Sequence, residues 1–154
     1  MHSFSNFTIM TVEIFNINFT LSLYGFSGIA LNKDYVPTAF QLMDRMWKIV
    51  KGNGLKNSGL NVWVFEPGDK VFSGVELTEA PDHTLGLEHR TITLTKYASY
   101  KHIGPYSMIK QAGQEMRREL QKMGYEPAMP YIEIYGHMTG DETQMETELL
   151  VALR

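Results

Sequence analysis

The chain has no cysteine among its 154 residues. Disulfides and thiolate chemistry are excluded, and the absence fits a reducing, cytoplasmic setting. An excess of positive charge is missing too: 14 Lys and Arg stand against 17 Asp and Glu, a formal net charge of -3. A duplex-binding face needs clustered basic residues, so direct recognition of nucleic acid is not expected. No Lys or Arg precedes Lys33, which leaves the apolar N-terminus without the positive region of an export signal, and Glu13, Asn16 and Asn18 interrupt its apolar run. No window reaches the length of a membrane span, so no membrane partner is expected. Without a secretion signal, the Asn-Phe-Thr triplets at Asn6 and Asn18 are read as chance matches to a glycosylation acceptor.

Catalytic signatures are equally scarce. There is no nucleophile elbow, phosphate-binding glycine loop or zinc-protease pair. The five histidines, His2, His83, His89, His102 and His137, lack local metal-ligand spacing, so neither a metal nor a cofactor is expected. What remains is ordinary globular composition, 44% hydrophobic and 20% charged, in a length that suits one domain or two small fused modules.

Periodicity supplies the elements. Phe15, Ile17, Phe19, Leu21 and Leu23 alternate with polar residues and Tyr24, which predicts one long strand before Gly25 and Gly28. This strand leaves no room for a helix-turn-helix ahead of Pro37. A helix is predicted from Pro37, with Phe40, Met43, Met46, Trp47 and Val50 on its apolar face and Gly52 and Gly54 at its end. Strands at 61–66 and 71–78 follow, joined by the turn Pro67-Gly68-Asp69-Lys70, and then a polar connection over 79–88. The pattern then recurs: a strand over 91–102, and a helix from Gly104-Pro105 with Ile109, Ala112, Gly113, Met116, Leu120 and Met123 as its stripe. Gly124 stops that helix, and strands at 131–135 and about 145–153 complete the chain. Pro37 and Pro105, Trp63 and Tyr131, and Gly68 and Gly136 are each 68 residues apart, as an internal repeat requires. In a two-fold repeat a groove opens where the copies meet, with Trp63 facing it from one half and Tyr131 and Glu133 from the other.

The strand Pro130-Tyr131-Ile132-Glu133-Ile134-Tyr135 puts Tyr131, Glu133 and Tyr135 on one face and the isoleucines on the other. If the isoleucine face meets the helices, the opposite face shows one carboxylate between two aromatic rings, a combination suited to an organic cation. Taken alone, the strand favours a solvated face with an idle Glu133, because half-exposed strands commonly alternate this way. Tyr100 reaches the groove or serves as hydrogen-bonded framework. Tyr106 and Trp47 are read as structural, and several of the ten methionines as core.

These motifs resemble the GyrI-like, or AraC-type effector-binding, domain. The residues that carry the resemblance are His102-Ile103-Gly104-Pro105-Tyr106, the helix ending at Gly124, Pro130-Tyr131-Ile132-Glu133-Ile134-Tyr135 and the Thr147-Glu148 strand. Trp63-Val64-Phe65 and Phe72-Ser73-Gly74-Val75-Glu76 look like the matching strands of the first half. The resemblance implies an α+β fold of tandem βαββ modules with pseudo-two-fold symmetry, an antiparallel sheet, two main helices and a ligand groove between the modules. Within a single domain spanning 1–154, the modules fall at about 12–78 and 91–154. It implies a binding module for lipophilic, cationic organic compounds; the expectation is a stand-alone form that departs from the family's transcription regulators in having no DNA-binding domain attached. Glu133 is then the groove carboxylate, with Trp63, Phe65, Tyr131 and Tyr135 as aromatic walls and Glu148 and Tyr100 as further candidates. Two other readings stay open: a hydrolase of reactive electrophiles using a Glu and a Tyr, and a regulatory protein that contacts another protein, as gyrase-inhibiting relatives do.

Overall fold

The computed structural model describes residues 10–136 and 140–154. Asn6, His2 and His137, named above, lie outside them. In chain order the elements are β1 (Glu13–Phe15), β2 (Phe19–Ile29), α1 (Tyr35–Gly52), β3 (Asn61–Glu66), β4 (Lys70–Val75), β5 (Glu88–Leu94), β6 (Tyr97–Ile103), α2 (Ile109–Lys122), β7 (Pro127–Tyr135) and β8 (Glu146–Leu153). Among the described residues no helix is long and apolar enough to cross a membrane.

The eight strands form one antiparallel sheet in the order β1-β6-β8-β7-β3-β4-β2-β5. From the central pair outward the arrangement is the same on both sides: β7, β8, β6 on one and β3, β4, β2 on the other. The central register pairs Trp63 with Glu133, Val64 with Ile132 and Phe65 with Tyr131. That pairing is symmetric about Val64–Ile132 under the 68-residue offset read from the sequence.

Two of the expected strands are each divided. The run from Phe15 breaks at residues 16–18, so β1 pairs with β6 while β2 pairs with β4 and β5. The 91–102 run breaks at Thr95-Lys96, and β5 and β6 lie on opposite sides of the sheet, β5 outermost and β6 one strand in from β1. Each outermost strand therefore precedes one half in sequence and pairs with the other. A slip in alternation marks the second break: Ile92 and Leu94 share the helix-free face with Tyr97, not with Lys96. No slip marks the first, because Phe15 and Phe19 keep the same parity and the same face.

Both helices pack on one face. Met46, Val50, Met116 and Leu120 bury there against Val71, Leu149 and Val151. The other face has a core made from strands alone, including Leu23, Val62, Val64, Phe72, Ile132 and Leu150. Curling of the sheet covers it. Phe19 on β2 and Tyr97 on β6 have ring centroids 5.7 Å apart. Four strands separate β2 from β6 in the sheet, and flat spacing at about 4.8 Å per strand would hold them roughly 24 Å apart. One expectation is thereby corrected: Ile132 meets the strand-only core, and Tyr131, Glu133 and Tyr135 face the helices.

Candidate functional site

The helices flank the central strands without closing over them. Between α1, α2 and the β3–β7 pair lies an open cavity of about 880 Å³. Its three walls differ in chemistry because three separate sequence patterns supply them. On α1, Val36, Pro37, Phe40 and Met43 recur on one side of the helix and make an apolar wall. Val36 and Phe40 are 55% and 47% exposed, too open for core residues. On α2, Lys110, Gly113, Gln114 and Arg117 stand at helical spacing and make a polar, basic wall. The floor is aromatic, with Trp63, Phe65, Tyr131 and Tyr135 around Glu133.

Glu133 is buried, with 7% of its surface exposed. Both neighbours at two-residue spacing turn their hydroxyls to it: Tyr131 donates to Oε2 at 2.7 Å and Tyr135 donates to Oε1 at 2.5 Å. Burial pushes the carboxyl up from its ordinary range, while the two tyrosine donors and the charge of Arg117 work in the opposite direction. The same burial, with the negative Glu133 alongside, pushes both phenols far up, so they remain protonated donors.

The rings form two connected groups. Trp63 packs edge-on against Phe40 at 5.1 Å and against Tyr135 at 4.9 Å, and Tyr135 meets Tyr106 at 5.3 Å. On the other side Phe65 stacks on Tyr131 at 5.7 Å, with the Arg117 guanidinium 4.6 Å from the Tyr131 ring centre. The indole N–H of Trp63 is buried and has no hydrogen-bond partner among the described residues. Glycine at position 113 lets the helix approach: a Cβ there would stand 3.3 Å from the Tyr131 hydroxyl oxygen.

Five of the residues singled out from sequence, Glu133, Trp63, Phe65, Tyr131 and Tyr135, line the cavity together. Glu148 does not. The residue opposite Glu133 on β8 is Leu149, so Glu148 points through the sheet to the other face, where it accepts from the Ser99 hydroxyl at 3.3 Å. Tyr100 is on the helix side, opposite Leu149, but packs into the core beyond β8 and does not reach the cavity. Sequence reasoning missed Arg117, Phe40 and Tyr106. The signal for Phe40 was an apolar stripe on α1 wider than one core face needs. Tyr106, read as structural, stands at the cavity edge, 38% exposed. Among the described residues no group of three His, Cys, Asp or Glu could hold a metal ion.

Residues 28–154 match the family model of the GyrI-like small molecule binding domain. No curated protein matches the sequence. Among solved structures, the EcmrR C-terminal domain is similar with a TM-score of 0.67 at 13% identity, over 96% of this chain and 99% of that one. SAV2435 bound to tetraphenylphosphonium gives 0.61 at 16% identity, over 96% and 94%. A hydrolase from Listeria innocua gives 0.56 at 12% identity, over 94% and 92%. At these identities the likeness is one of fold.

Proposed function

The chain belongs to the GyrI-like family of small molecule binding domains, and on that premise we propose that its cavity takes lipophilic organic cations, with Glu133 as the counter-charge. The observation that carries the reading is a buried carboxylate held by two tyrosine hydroxyls at the floor of an apolar, aromatic cavity. Such a carboxylate has lost its hydration, so an arriving cation restores a favourable interaction that a neutral compound cannot supply. Trp63, Phe40 and Tyr106 add apolar area and ring faces that attract positive charge. In this reading residues 12–78 and 91–154 act as two modules of one domain, and the cavity floor is their junction. The ligand carried by SAV2435 is of the same chemical class.

Thermal unfolding with methyltriphenylphosphonium and with triphenylphosphine oxide tests the reading, because the two share their three rings and differ in charge. At a hundred times its dissociation constant the cation should stabilise the fold by about 2.7 kcal/mol. Equal shifts with both compounds would overturn the assignment of charge to Glu133.

The same trio supports a hydrolytic reading, as the Listeria neighbour is a hydrolase. Glu133 would take a proton from water while the water oxygen bonds to a strained-ring carbon. The ring bond breaks, and Tyr131 or Tyr135 gives its proton to the leaving atom. A product heavier than its electrophilic substrate by one water, formed by the wild type and lost in Glu133→Gln, would establish it. Unchanged substrate would reject it.

A further inference from the structure

The α2 wall carries a charge pattern that a simple cation site does not explain. Five positions of α2 reach the cavity, Ile109, Lys110, Gly113, Gln114 and Arg117, and none is acidic. The acids of the same helix, Glu115 and Glu119, do not line it, and Glu115 accepts a hydrogen bond from Gln111. Arg117 is half-buried. Among the described residues it forms no ion pair, and its only hydrogen bond is a long one, 3.4 Å, to the Gly113 carbonyl of its own helix. Its guanidinium lies over the face of Tyr131. With one long hydrogen bond made, most of the five N–H donors of the guanidinium are left for a ligand. The carboxylate of Glu66, also at the cavity, is already engaged by Arg90.

An unpaired guanidinium held beside a cavity is a poor neighbour for a purely cationic ligand and a good one for an anion. Arg117 also fills the ring face of Tyr131 that a ligand cation would otherwise use, Phe65 being stacked on that ring as well. A cation at Glu133 is therefore directed toward the Trp63 and Tyr135 side, and the opposite side is left for a group of negative charge. We propose that the cavity selects amphoteric ligands, compounds with an aromatic body, a cationic centre facing Glu133, and a carboxylate, sulfonate or phosphate group received by Arg117. Lys110, about two helical turns away on the same wall, adds long-range attraction without a fixed contact. The inference rests on the cation reading of Glu133 and adds the second charge.

Rhodamine B and its ethyl ester are suitable probes. They share a cationic ring system, and the free carboxylate makes the acid a zwitterion near neutral pH. Fluorescence anisotropy with the wild-type chain should show the acid bound about tenfold more tightly than the ester, the size of one charge-assisted contact at a half-buried site. Arg117→Gln should abolish that preference, so that acid and ester bind with equal affinity. Arg117→Lys, which keeps the charge and loses the fork, should retain part of the preference, and circular dichroism of both variants checks the fold. Glu133→Gln should weaken both dyes by a similar factor and preserve their ratio. An ester bound as tightly as the acid by the wild type, or a preference that survives Arg117→Gln, overturns the anion site. Unchanged affinity of both dyes in Glu133→Gln overturns the cation reading beneath it. Failure of both dyes to bind overturns both.

Discussion

Replacing Glu133 by Gln should give a more stable protein and a poorer binder, a combination that separates a ligand residue from a framework one. Burial holds the Glu133 carboxyl above its ordinary value of 4.5, although Tyr135, Tyr131 and Arg117 all favour the charged form. The folded state therefore binds this proton more tightly than the unfolded state does. Stability contributed by the residue falls as pH rises from the ordinary carboxyl value through the raised one, and the loss is complete above the raised value. Gln keeps the shape and carries no charge. Its carbonyl oxygen can accept from one tyrosine hydroxyl while its amide donates to the other. Stabilising single substitutions commonly contribute about 0.5–2 kcal/mol. In a chain of this size each kcal/mol moves the melting midpoint by roughly 2–4 °C. On the binding side, one hydrogen bond to a charged group contributes about 1.5–3 kcal/mol, so affinity for methyltriphenylphosphonium should drop about ten- to a hundredfold. Melting curves of the two proteins, taken from neutral pH down into the carboxyl range, should converge as the pH falls. Over the same interval the wild type should lose affinity for the phosphonium, whose counter-charge is being protonated, and keep its affinity for the neutral phosphine oxide. A variant that melts below the wild type at neutral pH, or that loses both compounds equally, would refute the reasoning.

Other substitutions probe the remaining walls. Trp63→Ala removes a ring that is 4% exposed. Urea melts should record a loss of about 3–5 kcal/mol, and titration should show weaker binding of cationic and neutral compounds alike. Gly113→Ala places a methyl 3.3 Å from the Tyr131 hydroxyl oxygen. It should weaken phosphonium binding about fivefold, the equivalent of roughly 1 kcal/mol, even though Ala favours a helix interior by about that amount. Glu148→Gln, on the far face of the sheet, should leave ligand affinity within about twofold in the same titration, as expected for sites that share no contacts.

The backbone plan was legible because its signals are local. Proline in the first turn, glycine at the stop and apolar residues three and four apart located α1 and α2 to within a few residues. The 68-residue spacing announced two equivalent halves, and the central pairs Trp63–Glu133 and Phe65–Tyr131 are symmetric under it, but the pairing of the two strands and its crossing at residues 64 and 132 come from the structure. Two things were not legible. One is which face of β7 meets the helices, because the curl that buries Ile132 on the other side is a long-range property of eight strands. The Glu148 error has a related origin: its parity relative to Leu149 was read correctly, but the face carrying Leu149 is the cavity's own. The second is Arg117, since a lone arginine on a polar helix face carries no periodic signal. It becomes informative only once Tyr131 is seen beneath it.

The cavity's selectivity follows from a symmetric backbone that carries asymmetric chemistry. In the β3–β7 crossing, Trp63 and Tyr131 occupy equivalent places, and both are aromatic. Glu133 and Phe65 also occupy equivalent places, and there the likeness ends. The two helices repeat the contrast. Phe40 and Met43 of α1 present carbon to the space where Gly113 and Arg117 of α2 present an opening and a charge. A pocket built from two like halves would offer each ligand two equal orientations. Here the buried carboxylate held by two tyrosines comes from β7 and the cavity's guanidinium from α2, so a ligand with distinct ends has one favourable way to lie. Phe65→Glu would restore the charge symmetry. It would also put a second, half-buried carboxylate across the strand pair from Tyr131 with no tyrosine donors of its own at two-residue spacing, since residues 63 and 67 are Trp and Pro. Like-charge repulsion and unmet hydrogen bonding would then favour a doubly charged cation, and would leave the empty protein less stable at neutral pH than in mild acid.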